Sequence, residues 1–157
     1  MNHVTARNLP ARDELRIWRD YFETGETLRS LMGTRLQSES ALSSADYQVL
    51  LAVNEATDHR IRPSELAADV GWQRSRLSHH LGRMEARGLI RREQCADDSR
   101  GAEVVLTPEG GDAFRRCTVP HLTDIRRMFV DALTPEQLTQ LDGITTALRD
   151  HLGLARR

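Results

Sequence analysis

Two long apolar stripes lie at opposite ends of this sequence, and whatever fold forms must cover both. From Arg12 to about Gln37, the residues Leu15, Trp18, Phe22, Leu28, Leu31 and Met32 recur at three- and four-residue steps, the spacing of one helix face. Near the other end Leu138, Leu141, Leu148 and Leu152 do the same. This last helix opens on the strongest start signal in the chain. Thr134 is its N-cap, Pro135 its first residue and Gln137 the capping-box partner, with Leu133 and Leu138 placed for a hydrophobic staple. Long amphipathic helices with unmatched stripes pack on each other or on a second copy of the chain.

The middle of the chain is cut into shorter pieces. A second helix starts at Ser43, with Asp46 as its capping partner, and runs through Tyr47, Leu50, Leu51 and Val53 until the polar stretch 58–62 ends it. Pro63 suits the first turn of a third helix, closed by Gly71. A fourth runs from about Gln73 to Arg87, with Gly88 where a left-handed cap belongs. Two β-like runs, 89–94 and 102–106, flank the turn-rich CADDSRG and predict a hairpin. Thr107 and Pro108 cap a fifth helix, in which Pro120 predicts a kink or break near Thr118. The fold class is therefore mainly α with a small β-hairpin. One structural domain divides into an N-terminal helix (1–42), a compact lobe (43–107) and C-terminal helices (108–157).

Charge narrows the partners. The 22 basic residues, all arginine, stand against 23 acidic ones, for a net charge of −1. Residues 72–92 nevertheless hold six arginines and one acid, or +5, leaving −6 for the remainder. A locally basic face on a neutral chain is the pattern that matters for an anionic partner. No apolar run reaches the ~18 residues of a membrane span, and the N-terminus has no signal-peptide core, so a cytoplasmic protein is expected. Cys95 and Cys117 are too few for a disulfide framework. The histidines show no metal-ligand spacing, and His79 and His80 diverge by about 100° on a helix, so neither a metal nor another cofactor is expected. The absence of a phosphate-cradling glycine loop and of a GxSxG elbow argues against an enzyme.

Residues 63–88 have the grammar of a helix-turn-helix: Ala67 is small where two helices approach, Gly71 lets the backbone turn, and Leu77 fills the core behind the second helix. Leu77, Leu81 and Met84 share one side of that helix, and Arg76, His79, His80 and Arg83 are read on the other. Arginine can bridge guanine O6 and N7 in a major groove. Gln73, Arg74 and Ser75 stand at the helix start, where free N–H groups favour phosphate, and Ser64 opens the preceding helix. A plain solvated face remains the alternative. In the hairpin, Asp98 can hold Arg100 aimed at a narrow minor groove, with Arg91 and Arg92 at the base available for phosphates. By itself that turn is equally a polar β-turn.

The stretch LSSADYQVLLAV, PSELAADVG, RLSHHLGRMEARGLIRR and DDSRGAEVVLTPEG, over residues 42–110, resembles the MarR family of winged-helix transcription regulators. The most specific part is Asp98-x-Arg100-Gly101 followed by Val104-x-Leu106-Thr107-x-x-Gly110. The resemblance implies a homodimer with intertwined terminal helices, bound to an inverted-repeat operator on double-stranded DNA. It implies repression released by a small organic, phenolic-type effector. By position it assigns Gln73, Ser75, Arg76, His79 and His80 to bases or phosphates and Arg100 to the minor groove. Ser99 and Gly111 stand where many members carry basic residues, which should weaken the phosphate contacts of the wing. The aromatic cluster Trp18, Tyr21 and Phe22 falls near the family's effector cleft, although aromatics at helical spacing also read as core. Two other readings stay open. Cys95, near Arg91 and Arg92, can be a redox-sensing thiol. Alternatively the winged helix serves only protein contacts, a use that the arginine-rich face argues against.

Overall fold

The structure is a computed structural model that describes residues 9–95 and 98–154, with the backbone alone for residues 95 and 98–100. Helix α1 (Arg12–Ser40) leads to α2 (Ser44–Glu55), a 3₁₀ turn (Thr57–His59) and strand β1 (Arg60–Ile61). Then follow α3 (Pro63–Val70), α4 (Arg74–Ala86), β2 (Ile90–Cys95) and β3 (Asp98–Leu106). Helix α5 (Pro108–Met128), a second 3₁₀ turn (Val130–Ala132) and α6 (Pro135–His151) complete the chain. The fold is mainly helical with one small antiparallel sheet in the order β1-β3-β2.

Local chemistry sets most boundaries. At the start of α2, the Asp46 N–H donates to Ser43 Oγ at 3.1 Å and the Ser43 N–H donates to the Asp46 carboxylate at 2.8 Å. Thr134 and Gln137 make the same reciprocal pair at α6, at 3.2 and 2.9 Å. Gly71 (φ +69°) and Gly88 (φ +72°) take the left-handed conformation that ends α3 and follows α4. Helix α1 instead stops at Ala41, itself left-handed at φ 57°, a little beyond the predicted end.

Two expectations need correction. Residues 58–62 do not simply end α2, because β1 forms there and pairs with β3, Arg60 opposite Val105 and Ile61 opposite Val104. Two residues are too few to show a period. The strand exists because Ile61 drops into the core and Arg60 reaches Glu93 and Glu103 on the neighbouring strands at 3.4 and 3.2 Å. Pro120 does not break α5, which runs on through it to Met128. Proline removes one helical N–H, and packing of α5 along α1 and α2 keeps the rest in register.

The core belongs to the lobe. Leu42, Val49, Leu50, Val53, Leu66, Leu77, Leu81, Met84, Ile90 and Val104 are buried, joined by Leu36 from α1 and by Phe114 and Cys117 from α5. The terminal helices contribute almost nothing else. No residue of α6 is buried, and Leu36 is the one buried residue of α1.

Candidate nucleic-acid interface

Helix α4 stands on its apolar face. Leu77, Leu81 and Met84 seal it to the lobe with 1% exposure or less, and Gln73, Arg74, Ser75, Arg76, His79 and Arg83 face solvent. The Gln73 side chain makes no capping bond, so the first-turn N–H groups of α4 stay open to an anion. Ser64 joins this surface from α3. With Arg62, Arg74, Ser78, Arg92 and Gly101 it lines a cavity of about 420 Å³ between the start of α4 and the hairpin.

His80 departs from the expected face. It lies three residues after Leu77, and positions i and i+3 share one side of a helix. The imidazole is accordingly 7% exposed and packs against the lobe. Its Nε2 stands 3.1 Å from Asp46 Oδ1, near enough for electrostatic attraction but off the direction of a good hydrogen bond. Its Nδ1 lies 2.9 Å from Arg83 Nη2. A guanidinium only donates, so Nδ1 is the acceptor and the ring proton sits on Nε2, facing the carboxylate. Burial holds this imidazole below the usual histidine range, against the pull of Asp46.

Asp46 is the hidden centre of the arrangement. Burial pushes its carboxyl up, but bonds from Arg87 and Ser43 outweigh that and hold it below its ordinary value. Arg87 Nη1 donates to Asp46 at 2.8 Å while Nη2 donates to the Ala41 carbonyl at 2.8 Å, tying the end of α4 to the α1–α2 junction. Trp72, in the turn before α4, meets His80 edge-on at 5.4 Å, and the Arg76 guanidinium carbon sits 4.3 Å from the Trp72 ring centre. The sequence marks Asp46 only as a helix cap. Nothing local signals a partner about 40 residues away.

The hairpin is braced where it meets α5. Gly110 could not carry a side chain, since a Cβ there would lie 1.8 Å from the Leu89 carbonyl oxygen. Arg91 and Arg92, still partly exposed, each spend part of the guanidinium within the lobe. Arg91 pairs with Glu93, and Arg92 donates to the Ser78 carbonyl at 3.1 Å and lies 3.7 Å from Glu85. The side chains of Cys95, Asp98 and Arg100 lie outside the described residues.

A family assignment follows from this geometry together with sequence comparison. Residues 42–101 match the family model described as MarR family. The fold also superposes on AbsC, a MarR family transcriptional regulator from Streptomyces coelicolor, with a TM-score of 0.86 and 34% identity over 92% of this chain and 97% of that one. This chain belongs to the MarR family of transcriptional regulators. A second MarR-family structure, Sco3205 from the same organism in complex with DNA, gives a TM-score of 0.88 and 34% identity over 92% of this chain and 91% of that one. Among curated proteins, the transcriptional repressor MprA of Escherichia coli K12 is 27% identical over 106 residues, 68% of this chain. The match spans only 60% of the MprA chain. These relatives are named as transcriptional regulators or repressors, and none as an enzyme.

Two further features of this MarR-family chain bear on ligands. Trp18, Tyr21 and Phe22 form an exposed aromatic cluster, with Phe22 at 5.0 Å from Trp18 and 5.4 Å from Tyr21. Tyr21 and Phe22 also line a cavity of about 720 Å³ with Leu28, Met128, Phe129 and Leu141, whereas Trp18 stacks on Phe22 outside its wall. Cys117 is buried, and burial pushes its thiol up, which makes it a poor nucleophile. Among the described residues no group of histidine, cysteine or carboxylate side chains could hold a metal ion, and no helix is long and apolar enough to cross a membrane.

Proposed function

We propose that this protein binds double-stranded DNA as a homodimer in the cytoplasm and represses transcription until a small organic effector releases it. The observation that carries this reading is the exposed face of α4. Arg74, Ser75, Arg76, His79 and Arg83 stand beside an uncapped helix N-terminus, on a helix whose other side is sealed into a dry core. Such a face enters a major groove, where arginine discriminates guanine and the first-turn N–H groups meet phosphate. Ser64 and Gln73 serve the flanking backbone, and Asp98 and Arg100 carry the wing contact to the minor groove. His80 is no base reader, because it is buried. The solved DNA complex of Sco3205 and the repressor MprA support the assignment by likeness.

The terminal segments, 1–42 and 108–157, form the dimer. Exposed Leu15, Ile17, Trp18 and Phe22 on α1, Ile144 and Leu148 on α6 and Leu152 at its end find no cover among the described residues. Two copies would set their α4 helices about 34 Å apart, on an inverted-repeat operator. The cavity beside Tyr21 and Phe22, largely apolar with one open side, suits an aromatic effector of phenolic type.

The deciding experiment measures binding to DNA from the protein's own upstream region, against a scrambled duplex, over a range of salt. Preference for the native duplex with a steep salt slope is expected. Failure there and in an unbiased selection of duplexes would overturn the reading in favour of a protein-contact module. Within this assay Arg76→Ala should lose about 1–3 kcal/mol and relax preference at one half-site position. A uniform loss across all sequences would make Arg76 a phosphate contact instead.

A further inference from the structure

We propose that His80, anchored on Asp46, is a positioning residue that presets Arg83, and through Trp72 also Arg76, for contact with bases. This rests on the DNA-binding reading above. The chain of contacts starts in α2. One oxygen of the buried Asp46 carboxylate receives the Ser43 N–H and Arg87, both at 2.8 Å, and the other faces His80 Nε2 at 3.1 Å. With the ring proton on Nε2 beside that carboxylate, Nδ1 faces outward as an acceptor. Arg83 is then clamped at both arms, Nη2 on His80 Nδ1 at 2.9 Å and Nη1 on His79 Nδ1 at 3.0 Å. Trp72 rests edge-on against His80 at 5.4 Å and carries Arg76 on its ring at 4.3 Å. Two arginines of the recognition face therefore hang on one buried imidazole. An exposed arginine otherwise explores many rotamers, and a clamp that holds it in the free protein lowers the entropy lost on binding.

The clamp works only while Nδ1 is bare. A proton there would set a donor against the Arg83 donor and release the guanidinium. The groups facing His80 are Asp46 from α2, Trp72 from the turn, and Arg83 and Arg87 from α4, with His79 sharing Arg83. Burial and the two arginines oppose that proton and Asp46 favours it, so release comes on acidification below the usual imidazole range. The signature is unusual. Discrimination between operator and scrambled DNA falls as the pH drops, while affinity for scrambled DNA holds or rises, because the face has gained charge. A merely structural role would lower both.

The test is binding to a selected operator and to a scrambled duplex at constant salt, between about pH 5 and 8, by the full chain and two variants. His80→Leu keeps an apolar side chain in the lobe but offers no acceptor. It should discriminate about tenfold less than the parent at neutral pH. His80→Asn places an oxygen near the Nδ1 position that does not titrate, so it should keep discrimination and lose the acid-induced fall. In the free protein, ¹⁵N NMR should find His80 Nδ1 unprotonated at neutral pH, and the Arg83 guanidinium signals should move with the His80 midpoint. Equal discrimination by the parent and His80→Leu overturns the proposal. So does an unchanged acid dependence in His80→Asn, or an Arg83 signal indifferent to His80. No DNA preference in the parent at any pH overturns the DNA-binding reading itself, and this proposal with it.

Discussion

The lobe and the terminal helices obey opposite rules of burial. Helix α2 buries five of its 12 residues, whereas α6 buries none of 17 and α1 only Leu36 of 29. Helix α5 passes from one regime to the other. Its first half inserts Phe114 and Cys117 into the lobe, and beyond them Val119 and Leu122 are 70% and 53% exposed. The lobe completes its core within one chain, and the terminal helices carry apolar stripes left uncovered among the described residues. A lobe with its own core is thus joined to helices whose apolar stripes stay exposed, the contrast on which the proposed dimer rests. Lobe and terminal helices are tied by Leu36, Phe114 and Cys117 in the core and by Arg87 on the Ala41 carbonyl, while Arg35 on Asp124 at 2.8 Å links α1 to α5.

The comparison can be broken most directly by deleting residues 134–157. Sedimentation should show a monomer, and operator affinity should fall by about a thousandfold as specific binding approaches the non-specific level. A truncated chain that stays dimeric and binds normally would show that α6 is not the missing cover. A pair of substitutions sharpens the contrast. Leu81→Ala, in the lobe at 1% exposure, should cost about 2–5 kcal/mol in chemical denaturation whatever the protein concentration. Leu148→Ala, at 45% exposure, should act through association, so that its effect on melting temperature vanishes at low concentration and grows to a plateau as concentration rises. Equal, concentration-independent losses would erase the distinction.

The smallest expected effect is acid sensitivity. His80 is held below its ordinary value by burial, so the folded lobe binds fewer protons there than the unfolded chain. Its contribution is full above about pH 6.5, the unfolded imidazole value, and declines as pH falls towards the folded value. Asp46, also held low, acts in the same direction at lower pH. Denaturation curves should therefore show stability dropping as pH falls through the His80 window, and His80→Asn should remove that step. A parent protein equally stable throughout the window would refute it.

Much of the fold was legible because its signals are short-range. The caps at Ser43 and Thr134, the glycines at 71 and 88 and the stripe Leu77–Leu81–Met84 each depend on residues within one or two turns, and each forms as the spacing implies. The exposed, arginine-bearing face of α4 was legible for the same reason, except at His80. There the residue type suggested solvent although the i+3 relation to Leu77 already pointed inward. Strand β1 escaped because its stability comes from β3, about 45 residues away in sequence.

The sequence alone determined where helices start and stop, which faces are apolar, and that arginine gathers on the helix after the turn, because these are matters of backbone preference and periodicity. Only the tertiary structure decided that Asp46 meets Arg87 and His80, that Arg91 and Arg92 are engaged by the lobe's own carboxylates and carbonyls, and that α6 stands uncovered. A charged side chain takes its role from the partner it finds in space, and that partner's distance along the chain carries no local mark.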